Sequence, residues 1–211
     1  MTGITLEQTE RVADAAGDLF LPGLSFDPEV AEYVSDWYGR SDVILEYGSG
    51  GSTVLAAQQT HRAVYSVESD RDWADRLRRS LDAACPGHSV ELIWQDIGPT
   101  RKWGAPRTNK HMLQFPGYAL DVWSKMDGQG PDLVLVDGRF RLGCFLATLF
   151  NITRPTTLLW DDYAERRKYH LAERYGAPVE RVGRMVRFEL TPRQITPADL
   201  PLLARAFVDQ A

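Results

Sequence analysis

Short apolar runs alternate with amphipathic stretches along residues 40–190 of the chain. Five of these runs have the composition of buried strands, rich in β-branched, aromatic and other apolar side chains. They are DVILEYG, AVYSVES, SVELIWQD, DLVLVDG and TTLLWDDY. Because helical stretches separate them, the five strands are expected to form βαβ units with right-handed crossovers in a parallel sheet.

Two further strand-like runs surround Gly183, in the segment VERVGRMVRFEL. No crossover helix fits between them, so they predict an antiparallel hairpin at the sheet edge or next to it. The expected fold is therefore a doubly wound α/β domain. Its mostly parallel seven-stranded sheet carries this C-terminal antiparallel hairpin, and helices cover both of its faces.

Two helices are predicted before the first strand. Residues 4–20 have apolar side chains at near-helical spacing, and residues 27–39 place Pro28 at the first helical position. We therefore divide the chain into a helical N-terminal extension, residues 1–40, and a main domain, residues 41–211.

Composition narrows the class of protein. The 211 residues are 44% hydrophobic and 25% charged, which is typical of a globular domain. The net charge of −5 argues against general nucleic-acid binding, and no apolar run reaches the ~20 residues that span a bilayer. The chain begins without a signal-peptide pattern, and its two cysteines lie far apart without zinc spacing. These features predict a cytoplasmic protein that binds neither nucleic acid nor a membrane.

The segment Glu46–Thr53, EYGSGGST, stands where the first strand gives way to the first crossover helix. Glycines at such a turn allow positive φ and let a ligand approach the backbone. The N–H groups at the start of the helix then face that ligand. The alternative is a tight turn that binds nothing.

Glu68 closes the second strand, fifteen residues after Thr53. In this architecture a carboxylate at that strand end accepts hydrogen bonds from the two ribose hydroxyls of a nucleotide-like ligand. The alternative is a solvated acid or a cap of the following helix, since Ser69 and Asp70 adjoin it.

These segments resemble the motifs of the class I S-adenosylmethionine-dependent methyltransferases. The resemblance covers about residues 40–190, and VILEYGSGGST, VYSVES, ELIWQDIG and DLVLVDG are similar to four motifs in family order. It implies an S-adenosylmethionine-binding Rossmann-like domain over residues 41–211. It also implies a set of cofactor-binding residues. Glu46, Gly48 and Gly50 would line the methionine end, Glu68 would hold the ribose, and Asp96 and Ile97 would frame the adenine. The other implied cofactor-binding residues are Ser49, Thr53, Ser69 and Asp137.

A nicotinamide dinucleotide is the rival ligand. Its fingerprint requires Gly or Ala where this chain has Thr53. Glu46 would also repel a pyrophosphate, whereas it would attract a sulfonium and an ammonium group. Both features favour S-adenosylmethionine as the ligand. An NAD-dependent oxidoreductase is kept as an alternative function.

Asp137 follows the fourth strand, and Asp161 and Asp162 follow the fifth. Neighbouring strands would bring the three carboxylates to one sheet edge, where oxygen ligands suit Mg²⁺. This arrangement resembles the metal-dependent O-methyltransferases of the catechol and macrolide-sugar types. The alternative is that the acids cap a helix or pair with Arg139 and Arg141, and that no ion binds.

The loop at residues 99–112 holds five basic side chains and no acid. Together with Arg139 and Arg141 it predicts a substrate with an anionic group, carboxylate or phosphate. The candidates for the general base are Asp137, Asp162 and Tyr163. The predicted function is methyl transfer, in particular O-methyl transfer, to a small anionic molecule. A non-catalytic cofactor-binding or interaction protein on the same fold is the other alternative.

Overall fold

A seven-stranded sheet forms the centre of the computed structural model, which describes residues 11–12, 19–126, 128 and 130–210. Its strands are β1 (Val43–Tyr47), β2 (Ala63–Glu68), β3 (Val90–Trp94), β4 (Leu133–Val136), β5 (Thr156–Trp160), β6 (Glu180–Val182) and β7 (Met185–Leu190). They lie in the order β6-β7-β5-β4-β1-β2-β3. Strands β1 to β5 pair in parallel, and β7 pairs antiparallel with both β5 and β6. The predicted fold class is confirmed.

The central strands bury side chains on both faces of the sheet. Along β4, Val134 and Val136 enter one apolar cluster, while Leu133 and Leu135 enter another. Successive side chains of a strand point to opposite faces, so a continuous apolar run is what a sheet covered on both sides requires. Each fully buried Leu or Val stabilises the fold by roughly 1.5–3 kcal/mol.

The helices that cover the sheet follow its strands closely. The α-helices are α1 (Pro28–Gly39), α2 (Gly51–Ala57), α3 (Arg71–Ala84), α4 (Phe115–Leu120), α5 (Arg141–Asn151) and α6 (Leu200–Ala206). Short 3₁₀-helices occupy Lys102–Gly104, Asn109–His111, Asp121–Ser124 and Arg167–Tyr175. The helix that follows β5 is therefore 3₁₀ in form. Of the helices in the described parts of the chain, none is long and apolar enough to cross a membrane.

The N-terminal extension differs in part from its prediction. Helix α1 forms as expected, and its Val30, Val34 and Tyr38 pack with β1 and β4 in one buried cluster. The helix predicted at 4–20 is wrong at its described residues, because Arg11–Val12 pairs antiparallel with Leu19–Phe20. The remainder of that predicted helix lies outside the described residues.

Candidate functional site

A cavity of about 530 Å³ opens at the carboxyl ends of β1, β2 and β4. In open α/β sheets this is the edge at which ligands bind. Four segments that follow strands or cross the edge line it: residues 48–52, 68–70, 102–104 and 137–139. The structure therefore brings the predicted glycine loop, Glu68 and Asp137 to one place.

The glycine loop depends on Gly48, whose φ is +101°. A Cβ atom there would lie 2.8 Å from the Cα of Gly138, so the loop and the segment after β4 pass too closely for any side chain. Ser49 and Gly50 continue the loop along the cavity wall. Glycine is required here both for the positive φ and for the close approach of two backbones.

Glu46 lies beneath this loop in a fully buried cluster of hydroxyl groups. Its carboxylate accepts hydrogen bonds from Tyr38 at 2.6 Å, Thr53 at 2.7 Å and Ser66 at 2.6 Å. Burial raises the pKa of Glu46, and the hydroxyl donors oppose that rise. Among the described residues, those that line the cavity include neither Glu46 nor Thr53, so the structure places both as supports of the loop.

Glu68 lines the cavity at the end of β2. Its Oε1 atom accepts hydrogen bonds from the backbone N–H groups of Ser69 at 2.7 Å and Asp70 at 2.8 Å. Its Oε2 atom faces the N–H of Ser49 at 3.4 Å. Burial raises the pKa of Glu68, while the backbone donors lower it. The carboxylate is thus held in a fixed orientation beside the glycine loop.

Asp96 and Ile97, which the resemblance places at the adenine, are not among the described residues that line the cavity. Asp96 is exposed, and its Oδ1 atom accepts a hydrogen bond from Gly98 N at 2.8 Å. Ile97 is buried in the apolar core. Near Glu68 the cavity wall is made instead by Lys102, Trp103 and Gly104, which belong to the predicted basic loop.

Asp137 lines the cavity beyond the end of β4. Burial raises its pKa from 3.8 to about 7, and the nearby carboxylates of Asp161 and Asp162 also raise it, while Arg141 lowers it. A carboxyl group with a pKa near neutrality can accept and return a proton at ordinary pH. Asp137 therefore has the properties of a general base.

The two predicted substrate arginines have different surroundings. Arg141 is buried, and its guanidinium donates to the backbone oxygens of Asp137, Gly138 and Asp161. It also pairs with the Asp137 carboxylate at 3.0 Å. Arg139 lines the cavity, and its buried Nε atom has no hydrogen-bond partner among the described residues. The expected role in substrate binding thus fits the position of Arg139, whereas Arg141 joins the ends of β4 and β5.

The chain is 46% identical to a methyltransferase-like protein from Silicibacter pomeroyi, whose crystal structure superposes with a TM-score of 0.85. The match covers 90% of this chain and 98% of the other. The chain belongs to the class I S-adenosylmethionine-dependent methyltransferases.

More distant structures share the fold of this methyltransferase. An O-methyltransferase from Bacillus cereus, in complex with S-adenosylhomocysteine, is 15% identical, with a TM-score of 0.53 over 81% of this chain and 84% of that one. TomG, an O-methyltransferase of tomaymycin synthesis from Streptomyces achromogenes, is 16% identical, with a TM-score of 0.54 over 81% and 82%. No family model and no curated protein matches the chain.

The aspartates of the predicted metal site are paired with arginines in this methyltransferase. Asp161 accepts from Arg184 Nε at 2.9 Å, and Asp162 pairs with Arg166 Nη2 at 2.8 Å. The part of the chain that the structure describes holds no group of three acidic, histidine or cysteine side chains that could bind a metal. The expected Mg²⁺ site does not fit, because the arginines already neutralise these carboxylates.

Tyr163 is buried in an aromatic cluster with Trp160 and Tyr169. Its hydroxyl donates to Glu173 Oε1 at 3.1 Å. Burial raises the pKa of this hydroxyl above the usual value for tyrosine, and the hydrogen bond to Glu173 adds to the rise. The hydroxyl therefore keeps its proton at neutral pH. Neither Tyr163 nor Asp162 is among the described residues that line the cavity.

Sequence analysis missed several aromatic residues of the cavity wall, among them Trp73 and Tyr118. Trp73 lines the cavity and donates from Nε1 to Ser49 O at 2.9 Å. Its place in the first turn of α3 could have indicated a position in the site, because that turn begins at the ligand-binding edge of the sheet. Tyr118 also lines the cavity, but α4 follows an irregular loop whose course the sequence did not indicate.

Proposed function

We propose that this methyltransferase transfers the methyl group of S-adenosylmethionine to an oxygen atom of a small molecule with an anionic group. The observation that carries the proposal is the shared cavity, where the glycine loop, Glu68, Asp137 and Arg139 meet. Its volume of about 530 Å³ is in the usual range for a small-molecule site.

The chemistry of the cavity fits the cofactor. The Glu68 carboxylate offers acceptor oxygens to ribose hydroxyls, and such charge-assisted hydrogen bonds are strong. The close contact of Gly48 with Gly138 leaves bare backbone beside the cavity, where a ligand can approach. When bound, S-adenosylmethionine supplies a methyl group on a positively charged sulfur. The residues of the site then hold the substrate oxygen in line with that methyl group, and positioning of this kind lowers the barrier of a bimolecular step.

We assign Asp137 the role of general base. Its carboxylate would accept the proton that a substrate hydroxyl loses as the oxygen is methylated. A pKa of about 7 makes the ionised form available near neutral pH. Arg141 acts through Asp137, because the 3.0 Å contact fixes the carboxylate in place.

We assign Arg139 to the anionic group of the substrate. Burial lowers the pKa of its guanidinium, and the like charge of Arg141 lowers it further. A partly desolvated cation without a full set of partners is costly, so a carboxylate or phosphate that enters the cavity would relieve that cost. This supports an anionic substrate over a neutral one.

Calorimetry with S-adenosylhomocysteine tests the cofactor half of the proposal. Glu68→Ala should weaken binding by about 1–3 kcal/mol, because charge-assisted hydrogen bonds are lost. Glu91→Ala is the matched control, since Glu91 is an exposed carboxylate on β3 outside the cavity. No heat of binding to the wild type, or an unchanged affinity of Glu68→Ala, would contradict the assignment.

Methylation of a panel of hydroxylated carboxylates and phosphates tests the substrate half. Arg139→Gln should raise KM without changing the affinity for S-adenosylhomocysteine, and Arg139→Lys should retain part of the binding. Arg79→Gln, on the exposed face of α3, is the control. If Arg139→Gln weakens cofactor binding instead, the arginine serves the cofactor. Binding without any turnover would favour the non-catalytic alternative.

A further inference from the structure

Residues 20–26 form part of the cavity wall, and we call them the N-terminal strap. Five of these seven residues line the cavity, namely Phe20, Pro22, Gly23, Ser25 and Phe26. They precede α1 and belong to none of the predicted cofactor motifs. Three contacts hold the strap against different parts of the site.

The first contact joins the strap to α3. The Phe20 N–H donates to Ser80 Oγ at 3.1 Å, and the Phe20 ring meets the Trp73 ring edge to face at 5.9 Å. The Arg76 guanidinium lies over the same Phe20 ring at 5.6 Å. Trp73 in turn donates to Ser49 O at 2.9 Å, so this end of the strap is connected to the glycine loop.

The second contact lies at the first residue of α2. A Cβ atom at Gly51 would stand 2.3 Å from Gly23 O and 2.6 Å from Leu24 N. Both are backbone atoms, so no side-chain movement could relieve the overlap. Gly51 is therefore the residue that allows the strap to lie directly on the start of α2.

The third contact reaches the catalytic side of the cavity. Ser25 O accepts from Arg184 Nη2 at 3.4 Å, and Arg184 Nε pairs with Asp161 Oδ1 at 2.9 Å. Asp161 follows β5, beside Asp137 at the end of β4. The strap thus extends from the Glu68 and Trp73 side of the cavity to the Asp137 side.

We propose that the N-terminal strap is a positioning element of the cofactor site that closes the cavity over bound S-adenosylmethionine and slows its release. This inference rests on the proposed function. The three contacts hold the strap in the cavity wall, and a ligand bound behind it would leave only when the strap moves. Among variants of one binding site, differences in affinity arise mostly in the dissociation rate.

Stopped-flow release of S-adenosylhomocysteine from the full-length protein, followed by tryptophan fluorescence, tests this role. Gly51→Ala should displace the strap and speed dissociation about tenfold, while the association rate changes less. Phe20→Ala should act in the same direction without a backbone overlap, and it decides the question if Gly51→Ala fails to fold. Phe20→Tyr should restore slow release, because it keeps the aromatic contact with Trp73.

Gly39→Ala is the matched control, since a Cβ at the end of α1 meets nothing within 4 Å. Release at the wild-type rate from folded Gly51→Ala or Phe20→Ala would overturn the role of the strap and leave the proposed function standing. Failure of the wild type to bind S-adenosylhomocysteine would overturn both. A loss of affinity caused only by slower association would also count against the strap.

Discussion

The carboxyl group of Asp137 should make the stability of this methyltransferase depend on pH. Its pKa is raised from 3.8 to about 7, with burial as the largest cause. Between these two values the folded protein retains a proton that the unfolded chain has released. The stability that this group contributes is therefore fully present below pH ~4 and is lost as the pH rises through about 7.

The size of the effect follows from the two pKa values. At ~1.4 kcal/mol for each pH unit between them, the free energy of unfolding should fall by at most about 4 kcal/mol. The Asp137 side chain is 28% exposed, and solvent screening there makes the real change smaller. Asp137→Asn removes the titration, so the stability difference between wild type and variant should fall by about 2–4 kcal/mol from pH 4 to pH 8.

Urea denaturation at each pH unit from 4 to 8 measures this difference. Groups that titrate alike in the two proteins do not contribute to the pH dependence of the stability difference. A loss of the contact with Arg141 that is the same at every pH shifts the difference by a constant and leaves its pH dependence unchanged. Asp27→Asn reports the background, because Asp27 is exposed and makes no side-chain cap hydrogen bond at the start of α1. A stability difference that stays level across this pH range would refute the protonated state of Asp137 and the burial argument behind it.

Three further predictions concern the same edge of the sheet. The kcat/KM should rise with pH and level off above about 7, since Asp137 must be ionised to accept a proton; a profile flat from pH 5 to 8 would remove it as the base. Arg141→Gln should lower the free energy of unfolding by about 3–5 kcal/mol in urea titrations, because buried acceptors and the Asp137 carboxylate lose their partner. The melting temperature should not respond to Mg²⁺ or EDTA, as arginines already pair with Asp161 and Asp162; a gain with Mg²⁺ that EDTA reverses would contradict this.

Much of the fold could be predicted from the sequence, because local patterns determine it. Apolar runs separated by helices specify a parallel sheet, and the short interval around Gly183 leaves room only for a hairpin. The same logic placed the glycine loop, Glu68 and Asp137 at one edge, since parallel strands end together. Residues 4–20 show the limit, because helical spacing there did not prevent strand pairing at the residues the structure describes.

The roles of individual side chains were decided only by the tertiary structure. Glu46 lies one residue before the end of β1, and Glu68 ends β2. Helix α1 brings Tyr38 against Glu46 and encloses it, while Glu68 lines the cavity. Arg139 and Arg141 are two residues apart, and the turn into α5 sends one to the cavity and the other to the backbone oxygens of β4 and β5.

The strap shows the same division between sequence and structure most clearly. Nothing in the local pattern of residues 20–26 indicates contact with Gly51, because α1 and β1 separate the two in the chain and they meet only in the folded structure. Sequence by itself determined which elements form and at which end their polar residues gather, since hydrophobic period and turn chemistry act over short distances. Which of those residues faces a ligand, an ion-pair partner or the core depended on contacts between distant segments, and these exist only in the folded chain.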